Sequence, residues 1–274
     1  MPNANPGETV SSRPSGHRAL YRIWSFANRI GWGLRQAVRW QVPILADRPA
    51  ADLGAVSERI RDWEARYGFE AARLAESGET VRETLFILEM VESALAEAGV
   101  TLPDPLSALD VGAKNWHYVR ALWALLTCYG GTRRTLALTG IEIDPFVVYR
   151  DGHSRADWAR LYARPCPGAE FLEGDALDHR GSYDLVLLLF PIMLAGEHLD
   201  WGLPLDRYRP RDLLAHAWGL TAPGGTLFVA TYDYEKDALQ ATWESLGFAP
   251  AIWRVHATQI ADHDVDRHVA VFRR

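Results

Sequence analysis

The sequence predicts an α/β domain: a mostly parallel sheet with helices on both faces, closed by a C-terminal antiparallel hairpin and preceded by a helical cap. Three observations predict it. From Leu106 onward, short apolar runs alternate with segments of helical period. One run, YDLVLLLF at residues 183–190, is apolar almost throughout, as a strand buried on both faces must be. The last two runs are joined through the polar ADHDVDR, a turn that suits a hairpin.

Composition sets the bounds. A chain of 274 residues, 48% hydrophobic, can bury a full core. Cys128 and Cys166 have no His/Cys pattern near them, so neither a disulfide framework nor a zinc site is expected, which suits a reducing compartment. The longest apolar run, residues 185–195, contains Pro191 and is too short to span a bilayer. The opening MPNANPGETVSSRPSG lacks the apolar core of a signal peptide. A cytoplasmic protein is the expectation. Charge is uneven: residues 1–50 hold seven Arg against Glu8 and Asp47, about +5, and the remainder 22 basic against 33 acidic residues, about −11. The overall −6 argues against nucleic acid as the main partner.

In order, residues 1–16 have a disorder-prone composition, residues 17–103 read as the helical cap or arm, and residues 104–274 as the sheet domain. Residues 20–40 interleave Tyr21, Ile23, Trp24, Phe26, Ile30, Trp32, Leu34, Val38 and Trp40 with Arg22, Arg29, Arg35 and Arg39. Arg among aromatics suits an interfacial membrane helix. Gly31 and Gly33 interrupt the segment, however, and its apolar residues keep to no single stripe. Docking over the main domain or against a second copy, as a homodimer, is therefore favoured over membrane contact. Asp52 is placed to cap a helix over residues 53–66, stopped at Gly68, with a short helix over 69–76. Residues 79–98 carry Val81, Leu85, Leu88, Val91 and Leu95 in one stripe.

The sheet region opens at residues 106–116, LSALDVGAKNW: an apolar run ending at Asp110-Val111, a tight turn through Gly112, then helical period from Trp116. Such a turn brings backbone N–H groups and a strand-end carboxylate to a ligand. Residues 135–143 form the second strand, followed by a helix from about Pro145 and another over 157–163. Strands follow at 169–172, 183–190 and 226–232, with helices at 213–220 and 238–246, and the final pair at 250–256 and 268–272.

In the order LDVGAKNW, GIEIDP, FLEGDALD, YDLVLLLFP, LTAPGGTLFVAT and LGFAPAIW, the chain resembles the class I S-adenosylmethionine-dependent methyltransferases across residues 106–274. Each motif alone is weak, and six in order are a strong signal for that Rossmann-like fold. The resemblance implies S-adenosylmethionine as cofactor and S-adenosylhomocysteine as product. It implies cofactor contacts at the glycine loop (Asp110, Gly112, Ala113, Lys114, Asn115), a ribose-diol acceptor at Glu142 with Ile143 beside it, adenine contacts at Asp175 and Ala176, and Phe190 near the transferred methyl. Taken alone, Glu142 could be a solvated strand-end acid and Asp175 a turn former.

The chain departs from the family's D-x-G-x-G-x-G, carrying Lys114 and Trp116 at its second and third glycines. Either their side chains crowd the pocket, or Lys114 or Asn115 meets the cofactor carboxylate. LFPIM after the fourth strand is not the family's N/D-P-P-Y/F, which puts methylation of base amines in doubt. Methyl transfer by in-line displacement needs mainly positioning, with a base only if the acceptor must lose a proton. Candidates for that role are His153, His198 and Tyr208, with Asp206 and Arg209 nearby. Residues 192–212 read as a long functional loop, and residues 152–158, GHSRADW, as an insertion setting His153 or Arg155 over the cofactor, or simply a helix cap at Ser154. Asp262, Asp264 and Asp266 mimic a calcium loop, but Arg267 and Arg273 stand where Gly and Glu are required, so no metal is expected. The reading is methyl transfer to a small-molecule acceptor, of apolar or aromatic character given Trp24, Trp32, Trp40, Trp201 and Tyr208. The alternative is a non-catalytic protein of the same fold that binds a partner or membrane through its basic arm.

Overall fold

In the computed structural model, which describes residues 15–258, 260 and 264–274, one sheet of seven strands forms the middle layer. The strands are β1 (Leu106–Val111), β2 (Leu136–Glu142), β3 (Ala169–Glu173), β4 (Tyr183–Leu189), β5 (Thr221–Tyr232), β6 (Ile252–His256) and β7 (Arg267–Arg273). Their order is β3-β2-β1-β4-β5-β7-β6. The first five are parallel, and β7 runs antiparallel to both β5 and β6. The polar segment at residues 1–14, and Asp262 and His263 of the hairpin turn, lie outside the described residues.

Strand alternation feeds two cores. On one face, Leu185, Leu187 and Leu189 join Ala108, Leu138, Phe228 and Val271 under helices α2 (Glu58–Tyr67), α3 (Gly78–Glu97), α4 (Val119–Cys128) and α5 (Arg155–Ala163). On the other, Val186 and Leu188 meet Leu109, Val111, Val229 and Phe272 under α7 (Pro210–Leu220) and α8 (Lys236–Ser245). Both faces are apolar and covered, which is why β4 reads as an unbroken apolar run.

Several boundaries differ from the sequence expectation, each for a local reason. Ser57 caps α2, accepting the Ile60 N–H, while Asp52 accepts the Gly54 N–H in a turn of its own. Residues 69–76 contain one short turn of helix, Ala71–Arg73. The helix expected from Pro145 does not form there. Ser154 and Asp157 make a reciprocal capping box, and α5 starts only there, with Ser154 as its N-cap. Residues 192–212 are not a structureless loop: they hold α6 (Ala195–Asp200) and a helical turn, Leu205–Arg207.

The arm is one continuous helix, α1 (Ser15–Val38), and Gly31 and Gly33 do not break it. A helical glycine costs only about 1 kcal/mol, and α1 is held by tertiary bonds on its polar side. Ser25 Oγ accepts the Leu205 N–H, and Asn28 donates to the carbonyls of Leu199 and Leu203 at 2.8 and 3.1 Å. Arg35 grips the buried Asp144 with two N–H groups, at 2.6 and 3.1 Å. So α1 docks on its own domain, over α6.

Candidate functional site

Chain order reverses at β1: the chain leads outward through β2 and β3, then returns to β4 on the other side. A crevice opens at such a point, above the carboxyl ends of the strands. Here it is a cavity of about 400 Å³. Its floor comes from the ends of all five parallel strands, Val111-Gly112, Glu142-Ile143, Gly174 to Ala176, Leu189 to Pro191 and Tyr232 to Glu235. Its roof comes from residues 197–210, and one wall from Glu83, Phe86 and Ile87 of α3.

The glycine-poor turn has a specific solution. Gly112, Lys114 and Trp116 all have positive φ, at 79°, 56° and 51°, so the backbone keeps a glycine-like path without glycine at two of three positions. Trp116 is fully buried and does not line the cavity. Its indole N–H donates to Asp110 Oδ2 at 2.8 Å, and its ring lies over Gly140 of β2, where an added Cβ would stand 2.7 Å from the ring. The bulk expected to crowd the pocket is thus stored beneath the turn. The Lys114 N–H is held by Glu142 Oε2 at 2.8 Å, pinning the turn to β2.

Glu142 is buried. Its Oε1 accepts the Asp144 N–H, with Arg155 Nη1 3.5 Å away. Two of its four lone-pair directions are taken by backbone, leaving acceptor capacity toward the cavity. Asp175 Oδ1 accepts the Leu177 N–H, and Oδ2 faces Arg207 Nη1 at 3.3 Å. The Lys114 ammonium and the Arg155 guanidinium both lie over the face of Trp201, at 5.1 and 5.3 Å. Burial and the nearby Arg155 hold the Lys114 pKa below its ordinary value.

Of the residues singled out from sequence, Gly112, Lys114, Glu142, Ile143, Asp175, Ala176, Phe190, His198, Tyr208 and Arg209 line the cavity. Asp110, Ala113, Asn115, His153 and Asp206 do not. Asp110 lies under the turn, its carboxyl pushed up to about 7 by burial, with the Trp116 and Tyr118 hydrogen bonds opposing. Asn115 faces the His117 ring. His153 Nδ1 faces the Val42 carbonyl at 2.6 Å, and Asp206 meets Arg29 on the surface. His198 Nε2 lies 3.0 Å from the Pro204 carbonyl, so it carries the proton, and burial lowers the ring pKa. Tyr208 donates to the Met193 carbonyl, and burial lifts its pKa to about 12. The tryptophans of α1 do not reach the cavity; Trp201 does.

On the far side of the cavity the sequence named Phe190 but not Tyr232, Glu235 or Arg267. Phe190, at a positive φ of 59°, packs against Tyr232, and the Arg267 guanidinium lies over both rings. Glu235 Oε1 accepts the N–H groups of Met193 and Leu194 at 2.7 and 3.2 Å. Burial lifts its pKa to about 7, opposed by those two amides and aided by Glu197. Position was the available signal: Glu235 follows the end of β5, and Arg267 opens the antiparallel β7, whose start lies at the same edge.

A raised carboxyl pKa means the folded state keeps a proton that the unfolded chain releases near 4–4.5. The stability linked to Glu235 is therefore complete below that range and is lost as pH rises to about 7. Melting temperature should fall between pH 4.5 and 7.5 by less in Glu235→Gln than in the native protein. Parallel curves would show that Glu235 ionises freely.

One sheet order, with a reversed strand inserted between the fifth strand and the edge, combines with a crevice at the switch point. The fold is that of the class I methyltransferases. Among solved structures, the chain is similar to magnesium protoporphyrin IX methyltransferase of Synechocystis PCC 6803, at 16% identity over 80% of this chain and 92% of that one, with a TM-score of 0.47. It is also similar to a putative class I S-adenosylmethionine-dependent methyltransferase of Listeria monocytogenes (13%, 69% and 59%, TM-score 0.48) and a putative RNA methyltransferase of Pyrococcus horikoshii (13%, 68% and 81%, 0.45). Likenesses this distant carry no functional argument. No family model matches the chain, and no curated protein does.

Proposed function

We propose that the chain transfers a methyl group from S-adenosylmethionine to a small-molecule acceptor. The observation that carries this reading is the turn at residues 112–116, which holds the ligand-binding backbone shape and stores Trp116 out of the cavity. Glu142 would take the ribose hydroxyls, Asp175 and Ala176 the adenine, and the paired cations Lys114 and Arg155 the amino-acid carboxylate. When bound, the cofactor would supply an electrophilic methyl group on sulfonium.

The chain's own residues supply positioning and desolvation. Phe86, Ile87, Phe190 and Leu213 make an apolar wall on the acceptor side, with Tyr232 and Tyr234 beside it. The roof over these groups favours a compact acceptor rather than a polymer. Glu235, with a pKa near neutrality, is placed to take a proton from a hydroxyl or amine there. His198, neutral at pH 7 and lining the same side, is the second base candidate.

Titration calorimetry with S-adenosylmethionine, S-adenosylhomocysteine and NAD tests the cofactor. Binding of the first two at micromolar concentration and none of NAD is expected. Failure of both sulfur compounds to bind would overturn the proposal.

A further inference from the structure

The face of α1 turned away from the domain is its apolar one. Leu20, Ile23, Ala27, Ile30, Leu34 and Val38 recur at three- and four-residue steps and form one stripe; all are exposed. Leu20, Ile23, Phe26, Ile30, Leu34 and Val38 are each 58–68% exposed, and Trp24 and Trp40 are exposed beside them. The opposite face, with Ser25, Asn28, Trp32 and Arg35, is the docked one. Trp32 belongs to that docked face, so the apolar residues look scattered in the sequence although the outward ones are in line. From Leu20 to Val38 the stripe runs about 27 Å along the helix, a long apolar strip facing water.

We propose that α1 lies on the surface of an anionic lipid bilayer, its apolar stripe in the acyl boundary. Charge decides between occupants. From Thr9 to Ala46 the chain has six Arg and no Asp or Glu; Arg35 and Arg29 are paired with Asp144 and Asp206 of the domain, while Arg22 and Arg39 are exposed. An anionic lipid surface complements that charge. A second copy of α1 laid against the stripe would bring arginines to arginines, with no acid on the helix to pair them. No helix among the described residues is long and apolar enough to cross a membrane, so α1 rests on the surface.

The docked face connects this surface to the site. Ser25, Asn28 and Arg35 bond the backbone at Leu205, Leu199, Leu203 and Gly202, which belong to the roof segment. Trp32 lies against Arg207, which reaches Asp175 in the cavity. Whatever seats α1 therefore acts on the roof through the helix's other side. This coupling rests on the methyl-transfer reading; the docking does not.

The test is vesicle flotation of the full chain with phosphatidylglycerol–phosphatidylcholine and with phosphatidylcholine alone, alongside light scattering without lipid. Ile30→Glu with Leu34→Glu changes only exposed side chains, so the fold should persist, as circular dichroism will check. The native protein should float with anionic vesicles and the double variant at least about tenfold less, because two apolar side chains would leave the acyl boundary charged. Arg22→Glu alone, in the native background, should also weaken flotation with anionic vesicles. Absence of flotation would overturn the proposal. A dimer without lipid that the double variant splits would also overturn it, in favour of a second copy.

Discussion

Trp116→Ala is expected to destabilise the protein by about 3–5 kcal/mol, the range for emptying a buried aromatic site. The loss should exceed that at any cavity-lining residue, because the indole is fully buried and also satisfies Asp110. Gly140→Ala alone should cost about 1–3 kcal/mol by overpacking, since its Cβ would meet three ring atoms of Trp116 closer than 3.0 Å. In Gly140→Ala/Trp116→Ala the added methyl occupies the vacated space, so the double variant's loss should fall short of the sum of the two single losses by at least about 0.5 kcal/mol. Urea unfolding of the four proteins measures the coupling. Simple additivity would mean that the two side chains do not compete for one volume.

Glu142→Ala should weaken S-adenosylmethionine binding by about 1.5–3 kcal/mol, roughly ten- to a hundredfold, the range for hydrogen bonds to a charged group. Two effects combine. The acceptor for the ribose hydroxyls is lost, and the Lys114 N–H is released from the carboxylate that pins the turn. Glu142→Gln separates them, because an amide keeps one acceptor oxygen and its shape but not the charge opposite Arg155. Calorimetry on both variants, with melting temperatures as a check on folding, reads the result. Unchanged affinity in Glu142→Ala would remove this residue from the cofactor site.

The sheet was legible from sequence because its signals are local: apolar runs such as residues 183–190, and turn residues between them. The part of the cavity built on Gly112, Glu142 and Asp175 was legible for a related reason, since these residues end or follow strands. The part around Tyr232, Glu235 and Arg267 was not. Glu235 and Arg267 lie 32 residues apart and line one cavity only because β7 turns back between β5 and β6. His153 attracted notice as a lone histidine in an unusual insertion, but the capping box at Ser154 directs that segment toward Val42. The outward face of α1 was hidden by Trp32 and Tyr21, whose apolar character belongs to the side that docks.

The contact between Trp116 and Gly140 has a consequence for how the binding turn comes into being. In a glycine-rich turn, left-handed backbone is accessible to each residue on its own. Here two side-chain-bearing residues take that conformation, at about 1–2 kcal/mol each. Their compensation comes from β2, through the Gly140 recess and the Glu142 carboxylate. The turn is thus a non-local structure: it exists only once β1 and β2 have zipped together, and any fluctuation that parts those two strands dissolves this wall of the cavity along with the sheet.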